Sequence, residues 1–297
     1  MAFPARRGRL PPGEMFPAKE AGYRVSFVRL ASGLRIRVVE RGNADGLPVL
    51  MLPGWGSTVY IWRRIFPGVA DSGFRAIAVD LKGSGLSDKP LGEQEYTSEA
   101  LMSHLGEIID ALELKRPVIV GHSQAASVAY RFAKKYPSRV RGLVLVSPVG
   151  HAGVKLLWLY KLLTPKFLRG VLPALCTRTA IRITLHRVYG NLGHFTQRDV
   201  REFYSPCQFP EFAIAQRDSL HAFDWNEPVT GLLMLPALAL HGTNDHLVRG
   251  DTMADYKRAI PGIEVVEIAG AGHIVPEEAD EQVNVALAAF LRRIRDG

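Results

Sequence analysis

Short, unbroken apolar runs at near-regular intervals constrain this 297-residue chain more than any other feature. The runs "LPVLMLP" (47–53), "FRAIAVD" (74–80), "RPVIVGH" (116–122) and "RGLVLVSP" (141–148) have the length and apolar content of strands buried on both faces, as in a parallel sheet. Helical patterns lie between them, clearest at residues 97–114, where Leu101, Leu105, Ile108 and Leu112 share one face. Two earlier runs, "YRVSFVRL" and "LRIRVVER", alternate at period two and read as half-buried strands joined by the turn at Ala31–Gly33. The alternation stops after Pro148 and resumes with "PALALHG" (236–242), "IEVVEIAG" (263–270) and a last helix from about Val275 to Ile294. Repeated β-α order builds a mostly parallel sheet with helices on both faces. The interruption reads as a helical insertion in one domain. The expected organisation is an N-terminal tail (1–22), a core (23–149), an inserted helical cap (150–232) and the rest of the core (233–297).

Charge is regional. The net charge is +8, and residues 151–190 hold seven basic residues (Lys155, Lys161, Lys166, Arg169, Arg178, Arg182 and Arg187) with no Asp or Glu. An acidic partner therefore meets this stretch first. Its charges alternate with large aliphatics instead of forming a hydrophilic stripe, so nucleic acid is not the expected partner. An acidic carrier or an anionic membrane surface is one reading of the stretch; a packed lid with a solvated basic outer face is the other. No run of eighteen uncharged apolar residues occurs, and the N-terminal "MAFPARRGRLPPGEMFPAKE" lacks the apolar centre of a secretion signal. Cys176 and Cys207 are too few for a disulfide framework; they read as free thiols in a reducing cytoplasm.

The candidate chemistry lies where strands end, the place where open α/β sheets bind ligands. In "VIVGHSQAASVAYRFAKKYP" (118–137), Ser123 sits between a strand and an Ala-rich helix. It is either a nucleophile on a sharp turn or the N-cap of an ordinary helix. Asp245 follows "ALALHGTN" and His273 follows "VVEIAGAG", giving the chain order Ser, Asp, His. A serine hydroxyl needs a base to take its proton, and a histidine oriented by a carboxylate supplies one. Asp80 competes for the acid role but sits in a Gly-rich loop, where a hydrogen-bond clamp is the expected use. His122 reads as a structural residue of the turn.

That order and the G-x-S-x-G-like turn resemble the α/β-hydrolase superfamily, over nearly the whole chain. "LPGWGS" resembles its oxyanion-hole turn and "DLKGSGLSDKP" (80–90) its D-x-x-G-x-G-x-S-x-x-P loop. "YPSRVRGLVLVSP" resembles the helix and strand after the nucleophile, and "GAGHIVPEEADEQVN" the histidine loop. Two positions depart from the family pattern: Ala125 replaces the last Gly of the turn, and Pro53 replaces the usual His before Gly54. The resemblance implies a mostly parallel, eight-stranded α/β-hydrolase sheet with an inserted cap. It assigns Ser123 as nucleophile, His273 as base, Asp245 as the acid, and the backbone N–H groups of Trp55 and Gln124 as the oxyanion hole.

Haloalkane dehalogenases and soluble epoxide hydrolases of this fold attack with Asp, which Ser123 excludes by resemblance. A serine carboxylesterase-like hydrolase without cofactor or metal is the expected activity, on an ester or thioester. The same triad serves C–C bond hydrolases and perhydrolases, and a ligand-binding member without chemistry is a further alternative. "GSGLSDKP" lacks the Gly-Lys-Ser/Thr ending of a phosphate loop.

Overall fold

The computed structural model describes residues 8–150, 153–192, 194–248 and 252–296. All eight apolar or alternating runs are strands: β1 (Tyr23–Arg29), β2 (Arg35–Gly42), β3 (Pro48–Leu52), β4 (Arg75–Val79), β5 (Val118–His122), β6 (Gly142–Val146), β7 (Ala237–Gly242) and β8 (Glu264–Ile268). They form one sheet in the order β1-β2-β4-β3-β5-β6-β7-β8. Strand β2 pairs antiparallel with both β1 and β4. All the other pairs are parallel.

Alternate residues of the central strands feed two cores. Val49, Met51, Val118, Val120, Val144 and Val146 face the side covered by α1 (Phe66–Asp71) and, through Val283, Leu287 and Phe290, by the C-terminal helix. Leu50, Leu52, Ile119, Leu143 and Leu145 face α2 (Ser98–Ala111) and α3 (Gln124–Lys135). Apolar content on both faces is what let these strands be read as buried. Helix α2 begins where its sequence predicts, because the Thr97 side chain accepts the Ala100 N–H as an N-cap.

Between β6 and β7 the chain is helical: α4 (Leu157–Leu163), α5 (Leu172–Leu175), α6 (Arg178–Val188), α7 (Gln197–Tyr204) and α8 (Pro210–Ala222). Pro165 and Pro173 stand at helix starts and keep these pieces short. Helix α9 (Thr252–Ala259) precedes β8. The last predicted helix is in fact two, α10 (Val275–Glu278) and α11 (Asp280–Asp296), separated at Ala279, whose φ is −137°. The described part of the tail, from residue 8, is packed on the insertion. Leu10 N–H donates to Ser205 Oγ (2.7 Å) and Phe16 N–H to Glu202 Oε1 (2.9 Å), with both tail residues buried.

The two cysteines correct the sequence reading. Cys176 and Cys207 are joined in a disulfide, with Cα atoms 6.1 Å apart across a sequence separation of 31. The insertion doubles back on itself and brings α5 beside the turn after α7, a juxtaposition that cysteine counting cannot see. The thiol argument for a reducing compartment falls with it. No helix among the described residues is long and apolar enough to cross a membrane.

One buried histidine makes the fold sensitive to acid. His104, on α2, is fully enclosed, and Lys82 N–H donates to its Nε2 at 3.1 Å. Burial, then the nearby Lys82 charge, push its pKa down to about 3. The unfolded chain takes up the proton near pH 6.5 while the folded one refuses it. Stability carried by the neutral imidazole is therefore present above that value and is lost as pH falls below it. The advantage of the wild type over His104→Gln in chemical denaturation should shrink by about 2 kcal/mol between pH 7 and pH 5. An advantage that stays constant over that range contradicts the assignment.

Candidate active site

Ser123 stands between the last residue of β5 and the first of α3 with φ 55° and ψ −120°. Few non-glycine residues tolerate that conformation, and it lifts the side chain out of the strand-to-helix path. The backbone is fixed from the neighbouring strand, since Ser123 N–H donates to the Val146 carbonyl at 2.8 Å. The helix then crosses β5 closely. A Cβ on Gly121 would lie 2.6 Å from the Ala126 Cα, so only small residues fit at this crossing, and Ala125 and Ala126 satisfy that demand. The Ser123 side chain makes no capping bond to α3. Its role as an ordinary N-cap is thereby excluded.

The hydroxyl turns instead to His273. Ser123 Oγ lies 2.9 Å from His273 Nε2, and His273 Nδ1 lies 2.8 Å from Asp245 Oδ2. The second carboxylate oxygen, Asp245 Oδ1, accepts the N–H groups of Leu247 (2.7 Å) and Val248 (2.9 Å). Burial alone would raise the Asp245 pKa. The neighbouring His273 and the hydrogen bonds outweigh it and bring the value down to about 2. An ionised acceptor at Nδ1 makes that nitrogen the protonated one, which leaves Nε2 with a free lone pair for the serine proton. All three groups are buried.

The histidine loop is held by the insertion. His273 N–H donates to the Val188 carbonyl at the end of α6 (2.8 Å), and Asn191 N–H to the Gly270 carbonyl (2.8 Å). Glu278 bridges the two segments, accepting Gly272 N–H at 2.9 Å and Gly190 N–H at 2.7 Å. Here backbone meets backbone: a Cβ on Gly272 would come within 2.3 Å of Gly190 N, and one on Gly190 within 2.5 Å of Gly272 N. Only glycine permits this approach at either position. Glu277 and Glu278 stand in the first turn of α10. Their partners lie outside that helix, Glu277 pairing with Arg63 and accepting from Tyr189 OH (3.3 Å).

The competing residues have other occupations. Asp80 accepts the N–H groups of Val59 and Leu86, each at 2.9 Å, and faces Arg37 at 3.4 Å, so it clamps the Gly-rich loop as expected. His122 donates from Nε2 to the His273 carbonyl at 3.0 Å. Burial and the neighbouring His273 push its pKa down to about 3, so it remains a neutral prop beneath the histidine loop.

Trp55 and Ser123 both line a cavity of about 410 Å³. Gln124 is the first residue of α3 and its side chain donates to Ser219 Oγ on α8 at 3.0 Å, leaving its backbone N–H at the helix start, where donors lack partners within the helix. The "GWG" turn is held by a residue that sequence reasoning missed. Gln216 on α8 accepts Gly56 N–H through Oε1 (2.8 Å), accepts the Trp55 indole N–H through its carbonyl (2.9 Å), and donates from Nε2 to the Gly83 carbonyl (2.9 Å). One residue of the insertion thus joins both Gly-rich loops of the core. A lone glutamine 160 residues away carries no local signal for this.

The remaining cavity wall is mainly apolar, with Leu157 and Tyr160 from α4, Leu185 and Val188 from α6, and Leu220 and Trp225 at and after the end of α8. Arg187 is the only charged side chain among the described lining residues, and it stacks over the Tyr160 ring at 5.2 Å. The arrangement offers a serine, a base and an ionised acid at the floor of an apolar chamber roofed by the insertion.

Known proteins agree with this architecture. The chain is 27% identical over 269 residues to the dihydrolipoyllysine-residue acetyltransferase component of the acetoin cleaving system of Pseudomonas putida, covering 88% of this chain and 68% of that protein. It is 27% identical over 292 residues to a haloalkane dehalogenase of Sphingobium indicum, covering 89% and 94%. A match to bifunctional epoxide hydrolase 2 of Mus musculus, at 32% identity, spans 39% of this chain and only 21% of that protein. The crystal structure of Cfl2 from Burkholderia cenocepacia superposes with a TM-score of 0.72 at 27% identity, over 91% of this chain and 96% of that one. The family model of the alpha/beta hydrolase fold matches residues 48–280. With that match and the eight-stranded sheet that carries the site, the chain belongs to the α/β-hydrolase family.

Proposed function

We propose that the chain is a serine hydrolase that cleaves a carboxylic ester or thioester through an acyl-enzyme. The observation that carries this reading is the continuous hydrogen-bonded array from Ser123 through His273 to Asp245, opening on an apolar cavity. In the proposed reaction Ser123 Oγ attacks the carbonyl carbon while its proton passes to His273 Nε2. The oxyanion is held by the backbone N–H groups of Trp55 and Gln124, each donor contributing about 3–4 kcal/mol. Collapse breaks the bond to the leaving oxygen or sulfur, which takes the proton from His273. Water then attacks the acyl-Ser123 ester with His273 as base and releases the acid.

Chemical balance separates this reading from the activities for which two relatives are named. Displacement of halide, or opening of an epoxide, by a serine oxygen would leave an alkyl ether on the enzyme. A histidine-activated water cannot hydrolyse an ether, so the cycle would stop after one event. Acyl transfer to the same oxygen gives an ester, which water does cleave.

A panel of aryl esters from acetyl to palmitoyl tests the proposal. Turnover should peak at one acyl length, set by the apolar chamber, and fall on both sides of it. A folded protein that hydrolyses no member of the panel contradicts the ester assignment.

A further inference from the structure

The proposed chemistry leaves one large feature of the molecule unused. Among the described residues, nine of the seventeen large apolar side chains that are exposed lie between residues 156 and 192, all on the insertion. Phe167 is 84% exposed, Trp158 and Leu162 65% each, and Leu163, Leu175 and Val171 half or more. A soluble surface does not ordinarily present so many in one stretch without something to cover them. Interleaved with them are basic groups. Lys166 and Arg182 are exposed, Lys161 is half-buried, and no carboxylate among the described residues pairs with any of the three. The segment 151–190 contains no acid to neutralise them.

The same elements frame the cavity mouth. Helix α4 turns Leu157 and Tyr160 into the cavity while Trp158 and Leu162 point to solvent. On α6, Ile183 both lines the cavity and is 65% exposed, with Arg182 beside it. Exposed side chains and cavity-lining ones thus alternate on the same two helices, and Ile183 belongs to both sets.

We propose that this face of the insertion docks on an anionic lipid bilayer, with the cavity mouth turned toward the membrane. Apolar tips enter the boundary between headgroups and acyl chains, while the lysines and arginines meet the phosphates. Charge decides among the possible occupants. A second copy of the chain would bring the same uncompensated bases face to face, and would be repelled. An acidic protein could match the charge, but the projecting Trp, Leu and Phe side chains call for a deformable apolar medium beneath it. Docking in this orientation would let an apolar ligand pass from the bilayer into the cavity without crossing water. The inference concerns binding and stands apart from the proposed hydrolysis.

Vesicle co-sedimentation tests it, with the Ser123→Ala protein used so that lipid turnover cannot intervene. The expected result is partition onto phosphatidylcholine vesicles containing one part in three phosphatidylglycerol, weak partition onto phosphatidylcholine alone, and loss of the difference in high salt. The double variant Lys166→Ala/Arg182→Ala should bind the anionic vesicles about twenty-five-fold less, at roughly five-fold per basic residue. Phe167→Asp should weaken binding to both kinds of vesicle. All these side chains are exposed, and unchanged circular dichroism of the variants shows that the fold is intact. Equal binding to both vesicles, or none, overturns the proposal. So does binding to polyglutamate in place of vesicles, which would indicate an acidic protein partner. A concentration-dependent dimer that disappears in Phe167→Asp, without lipid binding, would point to a second copy and overturn it as well.

Discussion

Replacing Ser123 with Ala should lower kcat on the best ester of the panel by about four orders of magnitude or more. The serine oxygen is the only protein atom in the proposed sequence that bonds to the acyl carbon. The fold should survive. The backbone bond from Ser123 N–H to Val146 is untouched, and the lost side-chain hydrogen bond to His273 is worth about 1 kcal/mol. A melting temperature lowered by no more than about 2–4 °C alongside lost turnover is the expected pair of results. A variant that keeps more than one tenth of wild-type activity contradicts the nucleophile assignment.

Asp245→Asn should cost nearly as much, about 10⁴-fold in kcat, for a different reason. The Asn oxygen can still accept the Leu247 and Val248 N–H groups, which fix the side chain in place. Its amide nitrogen then faces His273 Nδ1 where the carboxylate oxygen was. A donor there makes Nδ1 the acceptor and moves the ring proton to Nε2. That nitrogen loses the lone pair that takes the serine proton. Geometry is preserved while the tautomer is wrong, so KM for a neutral ester should change much less than kcat. A fall in kcat of less than ten-fold would show that Asp245 does not set the tautomer.

The parts legible in the sequence are those encoded locally. Buried parallel strands are apolar on both faces, so Leu50 and Met51, or Leu143 and Val144, announce themselves although they feed opposite cores. Ser123, Asp245 and His273 were found because each follows a strand, and parallel strands bring such ends to one edge. What the sequence does not encode locally is contact between distant segments. Gln216 holding the Trp55–Gly56 turn, Glu278 bridging Gly190 and Gly272, and the Cys176–Cys207 bond all depend on how the insertion folds over the core. The break at Ala279 carries no local signal either. Apolar periodicity continues from Val275 through Val283 and Leu287, while the residue before the break, Glu278, reaches back to the histidine loop.

The central claim is that Ser123 acts as a nucleophile activated by His273. The most direct test is to incubate the protein with a serine-reactive fluorophosphonate and to map the adduct by peptide mass spectrometry. The expected result is a single adduct on Ser123, formed by the wild type, absent from Ser123→Ala and strongly slowed in His273→Ala. A folded wild-type protein that remains unlabelled, or that carries the adduct at another residue, would contradict it.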